Sequence, residues 1–209
     1  MKPSAVIFDL GGVVLGSPIH VFRQYESDMG LQAGILSDIV RGHGAAGAWS
    51  RLERGELEMA AFFAAFDAET AAAGLAIRTI ELMDRVDLHC QPRPMVVTAI
   101  RKIRAAGLRT AALTNNWRSQ DQGTKMALLR PEFDVFVESA REGLRKPDPR
   151  IYQLVCSRLG VTPSQAVFLD DIGSNLKPAR ALGMLTIKVG DDPELALREL
   201  GDLLQLPLP

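Results

Sequence analysis

The stretch VIFDLGGVVLG, residues 6–16, places an aspartate where a short apolar run ends and two glycines shortly after it. A buried strand gains nothing from an unpaired carboxylate, because burying an isolated charge costs far more free energy than its apolar neighbours return. Asp9 therefore needs a chemical task, and the glycines allow the chain to bend sharply after it. The stretch predicts a first strand that ends at a functional residue.

Further apolar runs follow at residues 109–114, 133–137, 166–170 and 185–189, and the first strand itself covers residues 5–9. These runs are mostly apolar without alternation, which is typical of parallel strands covered on both faces. Helical patterns lie between or after them at residues 94–106, 150–159, 175–182 and 194–204. This alternation predicts an α/β fold with a Rossmann-like parallel sheet and right-handed crossovers.

Residues 17–91 have a different character, with no convincing strand and a composition rich in Ala, Leu, Met, Glu and Arg. Phe62, Phe63 and Phe66 cluster close to one face of a helical pattern. We therefore expect an all-helical cap at residues 17–91, inserted into a core formed by residues 1–16 and 92–209. The proline-rich segment QPRP at residues 91–94 is the expected return hinge.

The composition excludes several classes of function. The chain has 209 residues, 47% hydrophobic and 23% charged, with a net charge of −1. Its basic residues are scattered along the sequence, so they indicate no basic patch that would bind the phosphate backbone of a nucleic acid. The N-terminal apolar run is too short to span a bilayer. These features predict a soluble cytoplasmic protein that acts on a small molecule, with neither a nucleic acid nor a membrane as partner.

Polar side chains follow three of the predicted strands. Asp9 closes the first, Thr114 the second, and Asp170 with Asp171 the third, while Lys146 lies in the loop GLRKPDP. Because the carboxyl ends of parallel strands meet at one edge of a sheet, we expect these groups to converge there. Carboxylates, a hydroxyl and an ammonium group together suit a divalent cation and a phosphate, and Mg²⁺ prefers such oxygen ligands.

Four segments resemble the motifs of the haloacid dehalogenase superfamily in their usual order: VIFDLGG, ALTNN, RKPDP and FLDD. The longer stretches LTNNW, KPDPRIY and FLDDIGSNLKPARALGM resemble the N-terminal phosphatase domain of soluble epoxide hydrolases. The helical insert is similar to the superfamily's cap. The resemblance covers nearly the whole chain and implies a hydrolase that acts on a small phosphate monoester.

The resemblance also implies roles for individual residues. Asp9 would be the nucleophile that forms an aspartyl-phosphate, and Lys146 would orient Asp9 and neutralise charge. Thr114 and Asn115 would bind the phosphoryl group together with Lys146. The implied Mg²⁺ ligands are Asp9, the backbone carbonyl of Gly11, Asp170 and Asp171.

Gly11 departs from the resemblance, since most phosphatases of this superfamily carry a second aspartate there as general acid and base. Three interpretations stay open. The protein is a phosphatase that uses an easy leaving group or another acid, such as His20 or His43; or it attacks carbon as a 2-haloacid dehalogenase does; or it binds phosphate with little or no turnover. The pair Asp170–Asp171 favours the phosphatase, because without a cation these carboxylates would raise the pKa of Asp9 and weaken the nucleophile.

Overall fold

Five parallel strands form the central sheet of the computed structural model, which describes residues 3–118 and 125–209. The strands run in the order β3-β2-β1-β4-β5, with β1 at the centre. Ala5 of β1 lies opposite both Arg109 of β2 and Ala166 of β4. Their bounds are β1 Ala5–Phe8, β2 Arg109–Thr114, β3 Val135–Glu138, β4 Ala166–Asp170 and β5 Leu185–Lys188. The predicted parallel α/β fold is confirmed.

Helices cover both faces of the sheet, and their bounds agree with the predicted patterns to within two residues. On one face α6 and α11 pack against Val6 and Phe8, and on the other α9 and α10 pack against Ala5 and Ile7. These helices are α6 Pro94–Ala105, α9 Pro149–Leu159, α10 Gly173–Ala181 and α11 Glu194–Leu204. Two short helices that the sequence did not predict are α7 Lys125–Leu129 and α8 Ser139–Glu142.

Between β1 and α6 the chain forms five α-helices and no strand, as the composition predicted. Their bounds are α1 Pro18–Asp28, α2 Ile35–Gly42, α3 Ala48–Glu53, α4 Met59–Ala72 and α5 Thr79–His89. Phe62 and Phe66 are fully buried, whereas Phe63 is only partly buried. The domain boundaries at residues 16/17 and 91/92 stay a prediction.

The outgoing and returning chains meet at the predicted hinge. The Gly16 amide donates to the Gln91 carbonyl oxygen at 3.0 Å, and the Arg93 amide donates to the Val14 carbonyl oxygen at 2.8 Å. These two bonds hold the ends of the helical segment together beside the carboxyl edge of the sheet.

The turn after β1 carries the chain away from the sheet. Residues Leu10–Val14 form a single wide helical turn in which Gly11 has an extended backbone, while Gly12 has a φ of 79°. A positive φ of this kind is readily adopted by glycine and strains residues with a β-carbon. The turn therefore needs glycine at position 12 to leave Asp9 at the strand end.

No helix among residues 3–118 and 125–209 combines the length and apolar character required to cross a bilayer.

Candidate active site

Three carboxylates meet at the carboxyl edge of the sheet. Asp9 follows β1, Asp170 ends β4, and Asp171 is the next residue. One oxygen from each lies within 4.8 Å of the others. Asp9 is 6% exposed and Asp170 is 0% exposed, so this concentration of negative charge is held away from water. The structure thus brings together residues that stand far apart in the sequence.

Lys146 lies among these carboxylates and is itself 1% exposed. Its Nζ is 2.8 Å from Asp9 Oδ2 and 2.7 Å from Asp170 Oδ2. Burial by itself would lower the pKa of Lys146, but the attraction of Asp170 and Asp9 outweighs it and raises that pKa above its ordinary value. Lys146 is therefore a permanent cation between two carboxylates.

Asp170 is held by a set of hydrogen bonds beyond the one from Lys146. The Ile172 amide donates to its Oδ1 at 2.7 Å, and Asn175 Nδ2 lies 3.1 Å from each of its oxygens. Tyr152 in turn donates to the Asn175 carbonyl oxygen at 2.7 Å. The sequence analysis did not assign Asn175; the signal was a polar residue in the first turn of the helix that follows the aspartate pair.

Asp9 and Asp171 carry negative charge that these contacts leave uncompensated. Burial raises the pKa of Asp9 well above its ordinary value, and the neighbouring Asp170 and Asp171 raise it further against the attraction of Lys146. Burial and Asp170 raise the pKa of Asp171 to about 6. Each of these groups would gain from a nearby cation.

Asp171 supplies the observation that tests whether a metal ion fits. Its Oδ2 accepts from Ser17 Oγ at 3.3 Å, whereas its buried Oδ1 has no hydrogen-bond partner. A buried polar atom without a partner costs free energy. Hard carboxylate oxygens are ligands that Mg²⁺ prefers. The donor set of Asp9, Asp170 and Asp171 therefore fits Mg²⁺.

Gly12 is packed directly against Asp171. A β-carbon added at Gly12 would overlap Oδ2 and Cγ of Asp171 and lie 2.9 Å from its Oδ1. The positive φ of Gly12 adds a conformational penalty to that collision. Asp171 can hold its position only because residue 12 has no side chain.

The Gly12→Ala variant tests this contact. We expect the free energy of unfolding to fall by about 2–4 kcal/mol, the sum of the backbone penalty and the displaced carboxylate. Gly107→Ala is the matched control, because Gly107 has a φ of 80° with no atom within 4 Å of an added β-carbon. That control should lose about 1 kcal/mol, from backbone strain alone. Equal losses in urea denaturation would contradict the packing argument.

Thr114 and Asn115 follow β2 beside the carboxylates. Thr114 is buried, and its Oγ1 lies 3.4 Å from the Asn115 carbonyl oxygen. Asn115 Nδ2 donates to the Lys146 carbonyl oxygen at 3.0 Å, and the Lys146 amide donates to Asn115 Oδ1 at 2.8 Å. Asn115 therefore fixes the loop that carries Lys146. The predicted phosphate-binding roles of Thr114 and Asn115 stay predictions.

A cavity of about 320 Å³ opens above this site. From the sheet edge it is lined by Asp9, Asn115, Lys146, Asp171 and Asn175, whereas Thr114 and Asp170 do not line it. Helices α1 to α3 contribute Phe22, Val40 and Trp49 to its walls, and the core adds Trp117. The roof also carries charge, from Glu53 on α3 and Arg145 beside Lys146. The cavity is thus a mixed apolar and charged space that the helical segment closes over Asp9.

Neither histidine considered as a replacement acid lines this cavity. His20 Nε2 lies 2.9 Å from Asp191 Oδ1 at the surface, and His43 Nδ1 lies 3.9 Å from Glu69 Oε1. Both side chains are substantially exposed. Another group would have to provide any proton that a leaving group needs.

The family model of the haloacid dehalogenase-like hydrolases matches residues 3–183 of this chain. This span reaches from before β1 to beyond α10, so it includes the sheet edge, the helical segment and the whole carboxylate cluster.

Curated relatives align over nearly the full length of the chain. Acyl-CoA dehydrogenase family member 10 of Mus musculus is 43% identical over 98% of this chain and 19% of its own length. Bifunctional epoxide hydrolase 2 of Sus scrofa is 36% identical over 96% of this chain and 38% of its own length. The chain thus spans less than two fifths of these longer proteins. (S)-2-haloacid dehalogenase 1 of Pseudomonas sp. (strain CBS-3) is 28% identical over 88% of this chain and 83% of its own length.

Solved structures share the fold. A haloacid dehalogenase family enzyme of Bacteroides thetaiotaomicron, crystallised with magnesium and inorganic phosphate, superposes with a TM-score of 0.63 at 18% identity. The superposition covers 91% of this chain and 96% of that one. At this identity the likeness establishes the architecture.

Proposed function

Because this chain belongs to the haloacid dehalogenase-like hydrolase family, we propose that it is a Mg²⁺-dependent phosphatase that hydrolyses a small phosphate monoester through an aspartyl-phosphate. The helical segment of residues 17–91 acts in this proposal as a cap that shields the reaction from bulk water.

The cluster of Asp9, Asp170 and Asp171 around Lys146 carries the proposal. One lysine cannot balance three carboxylates that are largely buried, and Asp171 Oδ1 is left without a partner. An attack on carbon that needs no metal gains nothing from this excess of negative charge, which raises the pKa of the nucleophile. A site that binds a cation and a phosphate explains this excess of negative charge.

Each residue of the site has a distinct role in the proposed reaction. Asp9 attacks phosphorus with one carboxylate oxygen, and Lys146 holds that carboxylate in place through its 2.8 Å ion pair. Thr114 and Lys146 bind the phosphoryl oxygens. Asp9, the Gly11 carbonyl, Asp170 and Asp171 would hold Mg²⁺, which supplies positive charge next to the transferring phosphoryl group. Water then releases phosphate and restores Asp9.

Gly11 supports the second candidate, dehalogenation of a 2-haloacid. Position 11 provides no carboxylate for a leaving alcohol, and a halide needs no proton when it departs. The metal-compatible aspartate pair at the end of β4 argues against this reaction. Phosphate binding with little turnover would also follow if no other group replaced the missing acid.

Phosphate release with and without metal distinguishes these functions. We expect turnover of para-nitrophenyl phosphate with Mg²⁺ and a loss of roughly 100-fold or more in EDTA, since charge stabilisation of the transferring group is removed. Halide release from a 2-haloacid in EDTA, without phosphatase activity, would instead establish the dehalogenase. Binding of inorganic phosphate without turnover of either substrate would identify a binding protein.

A further inference from the structure

The missing carboxylate at position 11 raises the question of what protonates the leaving group. Three carboxylates line the cavity among the described residues: Asp9, Asp171 and Glu53. The first two belong to the nucleophile and metal cluster. We propose that Glu53, on α3 of the helical segment, is the general acid for the leaving oxygen and the base for the hydrolytic water. This inference rests on the proposed phosphatase function.

Glu53 is held in the cavity by contacts from two sides. Its Oε1 accepts from Trp49 Nε1 at 3.1 Å, and its Oε2 lies 2.7 Å from Arg145 Nε. Arg145 also donates from Nη1 to Ser50 Oγ at 2.8 Å. Because Arg145 precedes Lys146, the carboxylate of Glu53 is tied to the loop that holds the nucleophile. The helical segment thus places this carboxylate in the same cavity as Asp9.

The surroundings of Glu53 suit a group that gains and loses a proton. It is 7% exposed, and burial raises its pKa above the ordinary value. Arg145, the bond from Trp49 and the more distant Lys146 act in the opposite direction, and Arg54 also faces it. The net shift is upward, so the protonated form is more accessible than for an exposed glutamate.

Over one turnover Glu53 donates one proton and takes one back. In the first step the bond between Asp9 and phosphorus forms, the bond to the leaving oxygen breaks, and the Glu53 proton passes to that oxygen to give an alcohol. The resulting carboxylate is held by Arg145 and the Trp49 indole. In the second step water bonds to phosphorus, its proton returns to Glu53, and the bond to Asp9 breaks to release phosphate.

Whether departure needs this proton depends on the chemistry of the leaving group. The Glu53→Gln variant tests that dependence with two esters. For hexyl phosphate, whose alkoxide needs a proton, we expect kcat/KM to fall by roughly 10²–10⁴-fold. For para-nitrophenyl phosphate, whose anion leaves unaided, kcat/KM should change by less than about tenfold, because it covers only the steps up to departure of the leaving group. A burst of nitrophenolate should appear, since the second step has lost its base.

Restoring a carboxylate at position 11 provides the rescue. Gly11 has a φ of −63°, and an added β-carbon would meet only Pro18 Cδ and Cγ, at 3.4 and 3.5 Å. The double variant Gly11→Asp/Glu53→Gln should therefore fold and recover most of its turnover of hexyl phosphate. Ser50→Ala is the control for the contact with Arg145, because it loosens that contact without removing the acid. This variant should change kcat/KM for both esters equally and only slightly.

The outcomes separate this inference from the proposed function. Equal losses for both esters in Glu53→Gln, or no loss for hexyl phosphate, would overturn the role of Glu53 while leaving the phosphatase in place. Hydrolysis of only the aryl ester by the wild-type protein would likewise overturn the role of Glu53 while leaving the phosphatase in place. Release of phosphate from neither ester by the wild-type protein would overturn the phosphatase and this inference together.

Discussion

The Asp9→Asn variant is expected to lose phosphatase activity by roughly 10⁴-fold or more while remaining folded. An amide oxygen is a poor nucleophile, so the covalent step is lost. The geometry should survive, because asparagine has the same shape and its oxygen can still accept from the Leu10 amide, as Asp9 Oδ1 does at 2.6 Å. Burial raises the pKa of Asp9, so removing its charge should not lower the free energy of unfolding in metal-free protein.

Phosphate release from para-nitrophenyl phosphate with Mg²⁺ measures the first effect, and urea denaturation in EDTA measures the second. Asp202→Asn is the matched control, because Asp202 is an exposed residue of α11 that does not line the cavity. That control should keep full activity. Normal turnover in Asp9→Asn would refute the covalent mechanism, whereas loss of both activity and folding would make Asp9 a structural residue.

The Lys146→Met variant is expected to show the largest loss of stability, about 3–5 kcal/mol in metal-free protein near neutral pH. Lys146 is the buried partner of both Asp9 and Asp170. Methionine fills similar space but leaves these carboxylates without a cation, so their charged forms carry the full cost of burial. Turnover should fall as well, since the nucleophile loses the ion pair that orients it.

The pH dependence of this loss has a definite sign. Without Lys146 the attraction that lowers the pKa of Asp9 disappears, so the native variant keeps a proton on Asp9 to higher pH than the native wild-type protein does. The penalty therefore grows as the pH rises above the ordinary aspartate range and shrinks toward about pH 4. Urea denaturation across this range measures it, with Lys102→Met, an exposed lysine of α6, as control. A loss that does not vary with pH would show that packing, not charge, is what Lys146 contributes.

The sheet and the carboxylates at its carboxyl edge could be predicted from the sequence because they depend on local signals. An apolar run that ends in Asp9, Thr114 or Asp170 identifies both a strand and the residue at its carboxyl end. Parallel strands place such residues at one edge whatever the loops between them do. The observed sheet and the meeting of the three carboxylates follow from this rule. The start of β3 was placed two residues early, because Phe133 extends the apolar pattern although Val135 is the first paired residue.

The contents of the helical segment could not be predicted in the same way. Glu53 lies in an exposed-looking sequence, SRLERGELE, where a glutamate is ordinarily a solvated helix residue. Only the packing of α3 against the loop of Arg145 buries it above the site. Asn175 was passed over for a similar reason, because its bonds to Asp170 depend on how α10 begins.

The sequence by itself determined the fold class and the carboxylate cluster, because apolar runs and the residues at their ends are properties of short segments, and its four ordered motifs carried the resemblance to the family. Only the tertiary structure decided which side chains share a cavity with Asp9, that Asp171 Oδ1 has no hydrogen-bond partner beside it, and why residue 12 must be glycine. Those properties depend on contacts between segments far apart in the chain. They arise from burial and close packing, which no single stretch of sequence contains.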